Sequence, residues 1–120
     1  MTQPLAVPAA IAFTADEWSP VEADRIVEGS PQSAARVIYT SADGKFCAGV
    51  YACTAGKWRV SYSEDEFCTL IEGSVILTAE NGAAQTYSAP ESFLIPSGFK
   101  GFWEPRGNLR KYFVIYEQGV

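Results

Sequence analysis

The residues best able to do chemistry lie close together in the stretch DEFCTLIEG, residues 65–73. Glu66 offers a carboxylate, which acts as a general acid or base when burial raises its pKa. Cys68 offers a thiol, which becomes a nucleophile when a nearby cation or helix N-terminus ionises it. Lys111, near the end of the chain, is a candidate for that cation. The chain has no histidine, so this chemistry lacks an imidazole base.

Each of these groups has two interpretations. Glu66 either pairs with Lys111 or Arg110 and satisfies a buried charge, or contacts a ligand and acts as acid or base. Cys68 either packs as a small buried hydrophobe or serves as a nucleophile. Both interpretations stay open at the level of sequence.

A metal site is poorly supported by the donors available. Firm binding of a transition ion usually takes three or four ligands, with imidazole or thiolate supplying the strong bonds. The inner candidates are Glu66, Cys68 and Tyr62. We therefore predict no cofactor and no metal ligands. A divalent ion held weakly, largely by water and carboxylates, is the alternative.

The aromatic residues form a large set for so small a domain. They either fill the core and a dimer contact or line a pocket. An apolar pocket with one carboxylate and one cation suits a small ligand that bears an amine, amide or acid group. The predicted ligand-binding residues are Trp58, Tyr62, Glu66, Cys68, Phe93, Phe99, Trp103 and Lys111, and Glu66 is the one catalytic candidate.

Composition excludes several classes of protein. The 120 residues carry a net charge of -5, which argues against a nucleic-acid partner because such binding depends on clustered Lys and Arg. No apolar run approaches the roughly 20 residues of a membrane helix, and no signal sequence opens the chain. The three cysteines match neither a zinc motif nor a disulfide framework. We expect a single domain in the cytoplasm with reduced thiols and no membrane partner.

The elements that must position these groups are strands. Every longer apolar stretch is cut by Gly, Pro or Asn-Gly within about ten residues, which excludes long helices. Turn glycines are predicted at Gly44, Gly73, Gly82 and Gly98. Nine short segments rich in β-branched and aromatic residues predict an all-β barrel or sandwich, and they cover residues 35–40, 46–55, 57–63, 66–73, 74–80, 84–89, 92–98, 101–105 and 110–118.

Alternation along two of these strands assigns their faces. Trp58, Val60 and Tyr62 share one face of their strand, and Glu66, Cys68 and Leu70 share one face of the next. The opposite face of the second strand is also largely apolar, so we expect a second sheet or another subunit to cover it. Residues 1–35 are predicted to form an extended arm with the first edge strands, laid across a neighbouring subunit, and residues 36–120 to form the barrel.

Two stretches together resemble the cupin signature. Glu66 and Gly73 have the spacing of the glutamate and glycine in the first cupin motif, and Pro96 and Gly98 have the spacing of the second. The histidine positions of the first motif fall on Arg59 and Ser61 or on Val60 and Tyr62. The histidine of the second motif falls on Gly101. Of the four metal ligands in the family pattern, Glu66 alone is kept.

A narrower resemblance is to the small single-domain cupins grouped with the ureidoglycine aminohydrolase cupin domain. It is carried by WRVSYSEDEFCTLIEG at residues 58–73, FLIPSGFKGFWE at 93–104 and RKYFVIY at 110–116. The resemblance implies an RmlC-like cupin jelly-roll β-barrel, a double-stranded β-helix, and commonly a homodimer. It does not imply one reaction, because many of these proteins have no known function.

The sequence therefore predicts a metal-free cupin barrel that binds a small metabolite, with Glu66, Lys111 and the rings of Trp58, Tyr62 and Trp103 around the ligand. The first alternative is a small hydrolase, lyase or isomerase that acts on a ureido or amino compound, with Glu66 as acid or base and a weakly held metal. The second alternative is a structural or regulatory dimer whose barrel is filled by side chains.

Overall fold

The computed structural model of the chain describes residues 2–119, and apart from two single-turn 3-10 helices, Ala15–Glu17 and Ala23–Arg25, the regular secondary structure of these residues is β-strand. All nine segments predicted as strands are strands, which confirms the all-β class. No helix in this part of the chain is long and apolar enough to cross a membrane. The strands are β1 (Ser19–Pro20), β2 (Ile26–Glu28), β3 (Gln32–Thr40), β4 (Phe46–Cys53), β5 (Lys57–Ser61), β6 (Asp65–Glu72), β7 (Ser74–Ala79), β8 (Ala84–Ser88), β9 (Ser92–Ile95), β10 (Lys100–Pro105) and β11 (Leu109–Tyr116).

The strands form two antiparallel sheets. Sheet one has the order β1-β3-β4-β11-β6-β9, and sheet two has the order β2-β5-β10-β7-β8. Consecutive strands are repeatedly placed in opposite sheets, as when the chain leaves β5 in sheet two for β6 in sheet one. This crossing between two facing sheets is the arrangement of a jelly-roll barrel, as expected.

The core lies between the two sheets, and alternation along the strands decides which residues reach it. On β5 Trp58 and Val60 are buried while Arg59 is exposed. On β6 the buried residues alternate with outward ones in the predicted order. Because each strand contributes every second side chain, both sheets supply the core. Its largest fully buried side chains include Trp103, Leu70, Leu109 and Val75.

The four predicted turn glycines all adopt a positive φ, with values of 74° at Gly44, 85° at Gly73, 92° at Gly82 and 91° at Gly98. Gly73 joins β6 in sheet one to β7 in sheet two. A Cβ atom at this position would overlap the carbonyl oxygen of Asn108. Glycine is therefore required there both by the backbone conformation and by the lack of space.

The N-terminal arm packs on its own barrel within the single chain, and its expected contact with a neighbouring subunit stays a prediction. Arg110 on β11 donates hydrogen bonds to the carbonyls of Ile11 (2.8 Å) and Ala9 (3.3 Å). The Phe13 ring lies 5.2 Å from the Arg110 guanidinium and 5.8 Å from that of Arg36. The arm then adds β1 to the edge of sheet one and β2 to the edge of sheet two.

The outer face of β6 and β9 stays open in the single chain. Phe67 is 44% exposed and Leu94 is 67% exposed. The two residues are directly paired across the strands. The expected cover over this face is thus not supplied by any described part of the same chain.

Candidate functional site

A cavity of about 460 Å³ lies between the two sheets and opens beside the N-terminal arm. Sheet one contributes residues from β3, β4, β6 and β11, and sheet two contributes residues from β5 and β10. The arm forms part of its mouth. The lining residues are Ser19, Pro20, Val21, Glu22, Arg25, Ser33, Ala35, Tyr51, Trp58, Val60, Ser61, Tyr62, Glu64, Glu66, Trp103, Lys111, Phe113 and Ile115.

A buried ion pair lies at the inner end of this cavity. The Lys111 ammonium donates to Glu66 Oε2 at 2.7 Å. Glu66 is only 5% exposed and Lys111 only 4% exposed. The pair forms because β6 and β11 are neighbours in sheet one and both residues point inward, Lys111 sharing its face with Phe113. Of the two partners considered for Glu66, the structure therefore selects Lys111, whereas Arg110 points outward and holds the arm.

Cys68 completes this cluster as a buried thiol. Its thiol donates to Glu66 Oε2 at 3.2 Å, and its sulfur lies 3.4 Å from Lys111 Nζ. Burial raises the pKa of the Cys68 thiol to about 12, and this effect outweighs the opposing one of the Lys111 charge. The thiol is therefore protonated at neutral pH, which favours the packing interpretation over the nucleophilic one.

Two aromatic rings enclose the Lys111 ammonium. Nζ lies 4.4 Å from the centre of the Trp103 ring and 4.9 Å from that of the Tyr51 ring. Burial alone would lower the pKa of Lys111, but the adjacent Glu66 carboxylate opposes this effect and favours the charged ammonium, so that the pKa lies above its usual value. Lys111 is therefore charged in its pair with Glu66. The Trp103 indole N–H is buried with no hydrogen-bond partner in the described residues.

Trp58, Tyr62 and Trp103, the three rings placed around the ligand by sequence reasoning, all line the cavity. Burial raises the pKa of the Tyr62 and Tyr51 hydroxyls above the usual tyrosine value. Both hydroxyls are therefore protonated at neutral pH. They are able to donate as well as accept hydrogen bonds.

Three other predicted residues lie outside the cavity lining. Cys68 lies behind Glu66 and Lys111. Phe93 stacks on Tyr87 at a ring distance of 4.4 Å and belongs to the core. Phe99 packs edge-on against Tyr62 at 6.2 Å, so it supports a lining residue from behind.

Sequence reasoning missed Tyr51 and the residues of the arm. Tyr51 could have been predicted from sequence, because alternation along β4 places it on the same face as Cys53, which is buried. Arg25 and the other arm residues carried no such signal. Their place at the mouth depends on β1 and β2, each only two or three residues long.

The donor set does not fit the transition metal that the cupin resemblance implies. Glu66 Oε2 already accepts from the Lys111 ammonium, and Cys68 is a protonated thiol. At Gly101, the position of the second-motif histidine, a Cβ atom would overlap the Thr78 carbonyl oxygen. Within residues 2–119, no three His, Cys, Asp or Glu side chains come together as metal ligands.

The cluster still has free hydrogen-bonding capacity toward the cavity. No group within residues 2–119 donates a hydrogen bond to Glu66 Oε1. This oxygen is also not fully buried, since the one fully buried polar side-chain atom without a partner in these residues is the Trp103 indole nitrogen. It is therefore open to the cavity. The Lys111 ammonium has three donors, of which Glu66 and Cys68 face two. The site thus presents an acceptor and a cationic donor side by side.

Comparison with protein families gives one match, and the solved structures give several. The family description "EutQ-like cupin domain" matches residues 40–113, which is more than half of the chain. The matched segment contains Glu66, Cys68 and Lys111. No curated protein sequence matches the chain significantly.

Solved structures with the same fold are distant in sequence. A protein of unknown function from Pseudomonas syringae pv. tomato str. DC3000, of the DUF861 family, superposes with a TM-score of 0.80 at 22% identity over 91% of this chain. This chain spans only 46% of that protein. The Clostridium difficile EutQ protein superposes with a TM-score of 0.73 at 14% identity, covering 92% of this chain and 83% of EutQ. These likenesses support the fold.

Proposed function

We propose that this chain, which belongs to the family of EutQ-like cupin domains, binds a small polar metabolite in its barrel without a catalytic metal. The observation that carries the proposal is the Glu66–Lys111 pair, which is buried and yet faces a cavity of about 460 Å³. That volume lies in the range of small-molecule sites.

The chemistry of the pair defines the class of ligand. An N–H donor of the ligand would bind Glu66 Oε1, and a carbonyl or carboxylate oxygen would accept from Lys111. Amino acids, amides and ureido acids carry both groups at short separation. The Tyr51 and Tyr62 hydroxyls would bind further polar atoms, and Trp58 would pack against the apolar part of the ligand.

The energetics of burial support a role beyond stability. A buried ion pair contributes little net stability, because desolvation of the two charges offsets their attraction. Apolar residues of similar size would fill the barrel at no greater cost. We infer that the pair is retained for its contact with a ligand.

An enzyme is the second candidate, and the open Glu66 Oε1 favours it. A carboxylate oxygen facing the cavity is placed to take a proton from a bound ureido or amino compound or to return one. On the motifs quoted above, we also propose that the chain groups with the ureidoglycine aminohydrolase-like small cupins. In a hydrolase, lyase or isomerase of that kind, Glu66 would have to give up its hydrogen bond from Lys111 and bind the substrate instead during the reaction.

We propose a homodimer formed through the outer face of sheet one. A row of apolar residues crosses five strands there, from Leu94 to Phe67, Val114, Ala48 and Tyr39, each paired with the next. Exposed apolar rows of this kind commonly mark protein interfaces.

A filled structural or regulatory barrel has less support, because the cavity is open. The reduced cysteines agree with the proposed cytoplasmic location.

A thermal-shift screen of the whole chain with amino acids, amides, ureido acids and divalent metals tests the proposal. At a ligand concentration about a hundred times Kd, binding stabilises the fold by about 2.7 kcal/mol and raises Tm by about 10 °C. Glu66→Gln should fold but lose this shift, whereas the matched control Glu72→Gln, exposed at the end of the same strand, should keep it.

Two results would contradict the proposal. One is an unchanged shift in Glu66→Gln, which would place the ligand elsewhere. The other is stoichiometric transition metal in protein purified without chelators. Turnover of a stabilising compound, followed by NMR and lost in Glu66→Gln, would select the enzyme candidate over pure binding.

A further inference from the structure

A second groove lies on the outer side of sheet two, next to the mouth of the central cavity. Its volume is about 400 Å³. It adjoins the first cavity through three residues that line both, Arg25, Val60 and Ser61. Its remaining lining residues are Arg59, Glu80, Lys100, Gly101 and Phe102.

Cations gather here although the protein is acidic overall. Arg25, Arg59 and Lys100 line the groove, and Lys57 lies beside it, 5.0 Å from the centre of the Phe102 ring. These are four of the nine basic residues of a chain whose net charge is -5. Neither of the two salt bridges within residues 2–119 involves any of them. Among the described residues, Glu80 is the one carboxylate that lines the groove with them, and Glu28 is paired across the strands with Lys57.

In the described residues, backbone and aromatic contacts rather than carboxylates position the cations of this groove. Arg25 donates from Nε to the backbone carbonyl of Arg59 at 3.0 Å, which leaves its terminal nitrogens free. The Arg59 guanidinium lies 5.9 Å from the centre of the Phe102 ring, its direct partner across the strands. Lys100 is paired in the same way with Ser61. The register of β5 and β10 thus brings two cations and one hydroxyl to the same end of the sheet.

We propose that this groove binds a phosphate group, either free or at the end of a small metabolite. The three lining cations and the single carboxylate of Glu80 give the groove a net charge of +2, which matches a dianion. Arginine forks bind phosphate oxygens through paired charge-assisted hydrogen bonds. Ser61 adds a neutral donor, and Phe102 offers an apolar surface to any organic group that carries the phosphate.

The phosphate site does not depend on the proposed function of the barrel. It contains neither Glu66 nor Lys111 and faces the other side of sheet two. The two sites meet at Arg25 and Ser61 alone among the polar lining residues. Binding at one therefore can be measured separately from binding at the other.

The test is a titration of the isotope-labelled whole chain, followed by backbone amide NMR at constant ionic strength, with sodium chloride as the reference. The probes are inorganic phosphate and phenyl phosphate. We expect saturable shifts at the amides of Arg59, Lys100 and Phe102. Tighter binding of phenyl phosphate would identify the phosphate as part of a metabolite, and equal binding would identify free phosphate as the ligand.

The double variant Arg59→Gln/Lys100→Gln should weaken phosphate binding at least about tenfold, because two charge-assisted contacts are lost. Both side chains are exposed, so the fold should persist. The matched control Lys45→Gln, in the hairpin between β3 and β4, and the barrel variant Glu66→Gln should both bind as the wild type does. Shifts that do not saturate, an unchanged affinity in the double variant, or loss of binding in Glu66→Gln would each overturn the proposal.

Discussion

Replacing Lys111 with methionine removes the ammonium but leaves the Glu66 carboxylate in place, so it measures how far the ion pair is removed from water. Nζ and Oε2 are 2.7 Å apart, and the two side chains are 4% and 7% exposed. The remaining contact of Glu66 Oε2 would be the Cys68 thiol. Methionine is similar in length and brings no charge to replace the lost one.

The expected cost follows from the isolation of the remaining charge. Removal of one partner from a buried ion pair typically costs about 3–5 kcal/mol. Loss of the contact between the ammonium and the Trp103 ring is included in that range. A domain of this size has a total stability of about 5–15 kcal/mol, so the variant should fold. Its Tm should fall by about 12–20 °C, taking about 4 °C for each kcal/mol.

The complementary variants complete a double-mutant cycle. Glu66→Leu should cost a similar amount, because it leaves the Lys111 ammonium buried without a carboxylate. The double variant Glu66→Leu/Lys111→Met should recover most of the loss, because apolar replacement of a whole buried pair is often neutral or stabilising by about 1–4 kcal/mol. A double variant that costs much less than the sum of the two single variants is the signature of a desolvated pair.

Urea unfolding followed by tryptophan fluorescence provides the free energies, and unchanged m-values would show that the comparison is valid. The surface pair Glu17–Arg36, put through the same cycle, is the control and should show a much smaller coupling. If Lys111→Met cost less than about 1 kcal/mol, or if the double variant were less stable than either single variant, the assignment of a buried ion pair would be refuted.

Three further predictions follow from the same structure. Arg36 lowers the pKa of Glu17 from 4.5 to about 2, so the stabilising contact is present above pH about 4.5 and is lost as pH falls toward 2. The Tm difference between wild type and Glu17→Gln should therefore shrink over that window. A constant Tm difference would contradict the assignment of this ion pair. In native protein, iodoacetamide should modify half-buried Cys47 before buried Cys68, as measured by mass spectrometry, whereas equal rates would contradict the buried thiol. Phe67→Lys should halve the mass measured by light scattering if sheet one forms the dimer, and an unchanged dimer would exclude that face.

The strands and turns could be predicted from sequence because their signals are local. Positive φ at Gly73 and alternation along β6 require only neighbouring residues. The short strands β1 and β2 carry no alternation of their own, since they contain only two and three residues. They pair because the barrel edges are available to them. Their place at the sheet edges depends on tertiary contacts such as the hydrogen bond from Arg110 to the arm backbone, which no local pattern encodes.

For the candidate site, the sequence could predict which face of a strand points into the barrel. It could not predict which of the inward side chains reach the cavity wall. The sequence predicts Phe93 as a ligand-binding residue, but its ring is buried against Tyr87 in the core and lies behind the cavity wall. The same limit applies to Phe99, which supports Tyr62 from behind. The choice of Lys111 over Arg110 as the partner of Glu66 depends on which face of β11 turns inward. That face is fixed by packing on both neighbouring strands.

The most direct test of a ligand held by the Glu66–Lys111 pair is a crystal structure of the protein with the compound that raises Tm most. The account predicts that a nitrogen of that compound lies within about 3 Å of Glu66 Oε1 and that one of its oxygens contacts Lys111 Nζ. It also predicts that no metal ion replaces the ammonium. A ligand bound away from this pair, or a metal ion coordinated by Glu66, would contradict the account.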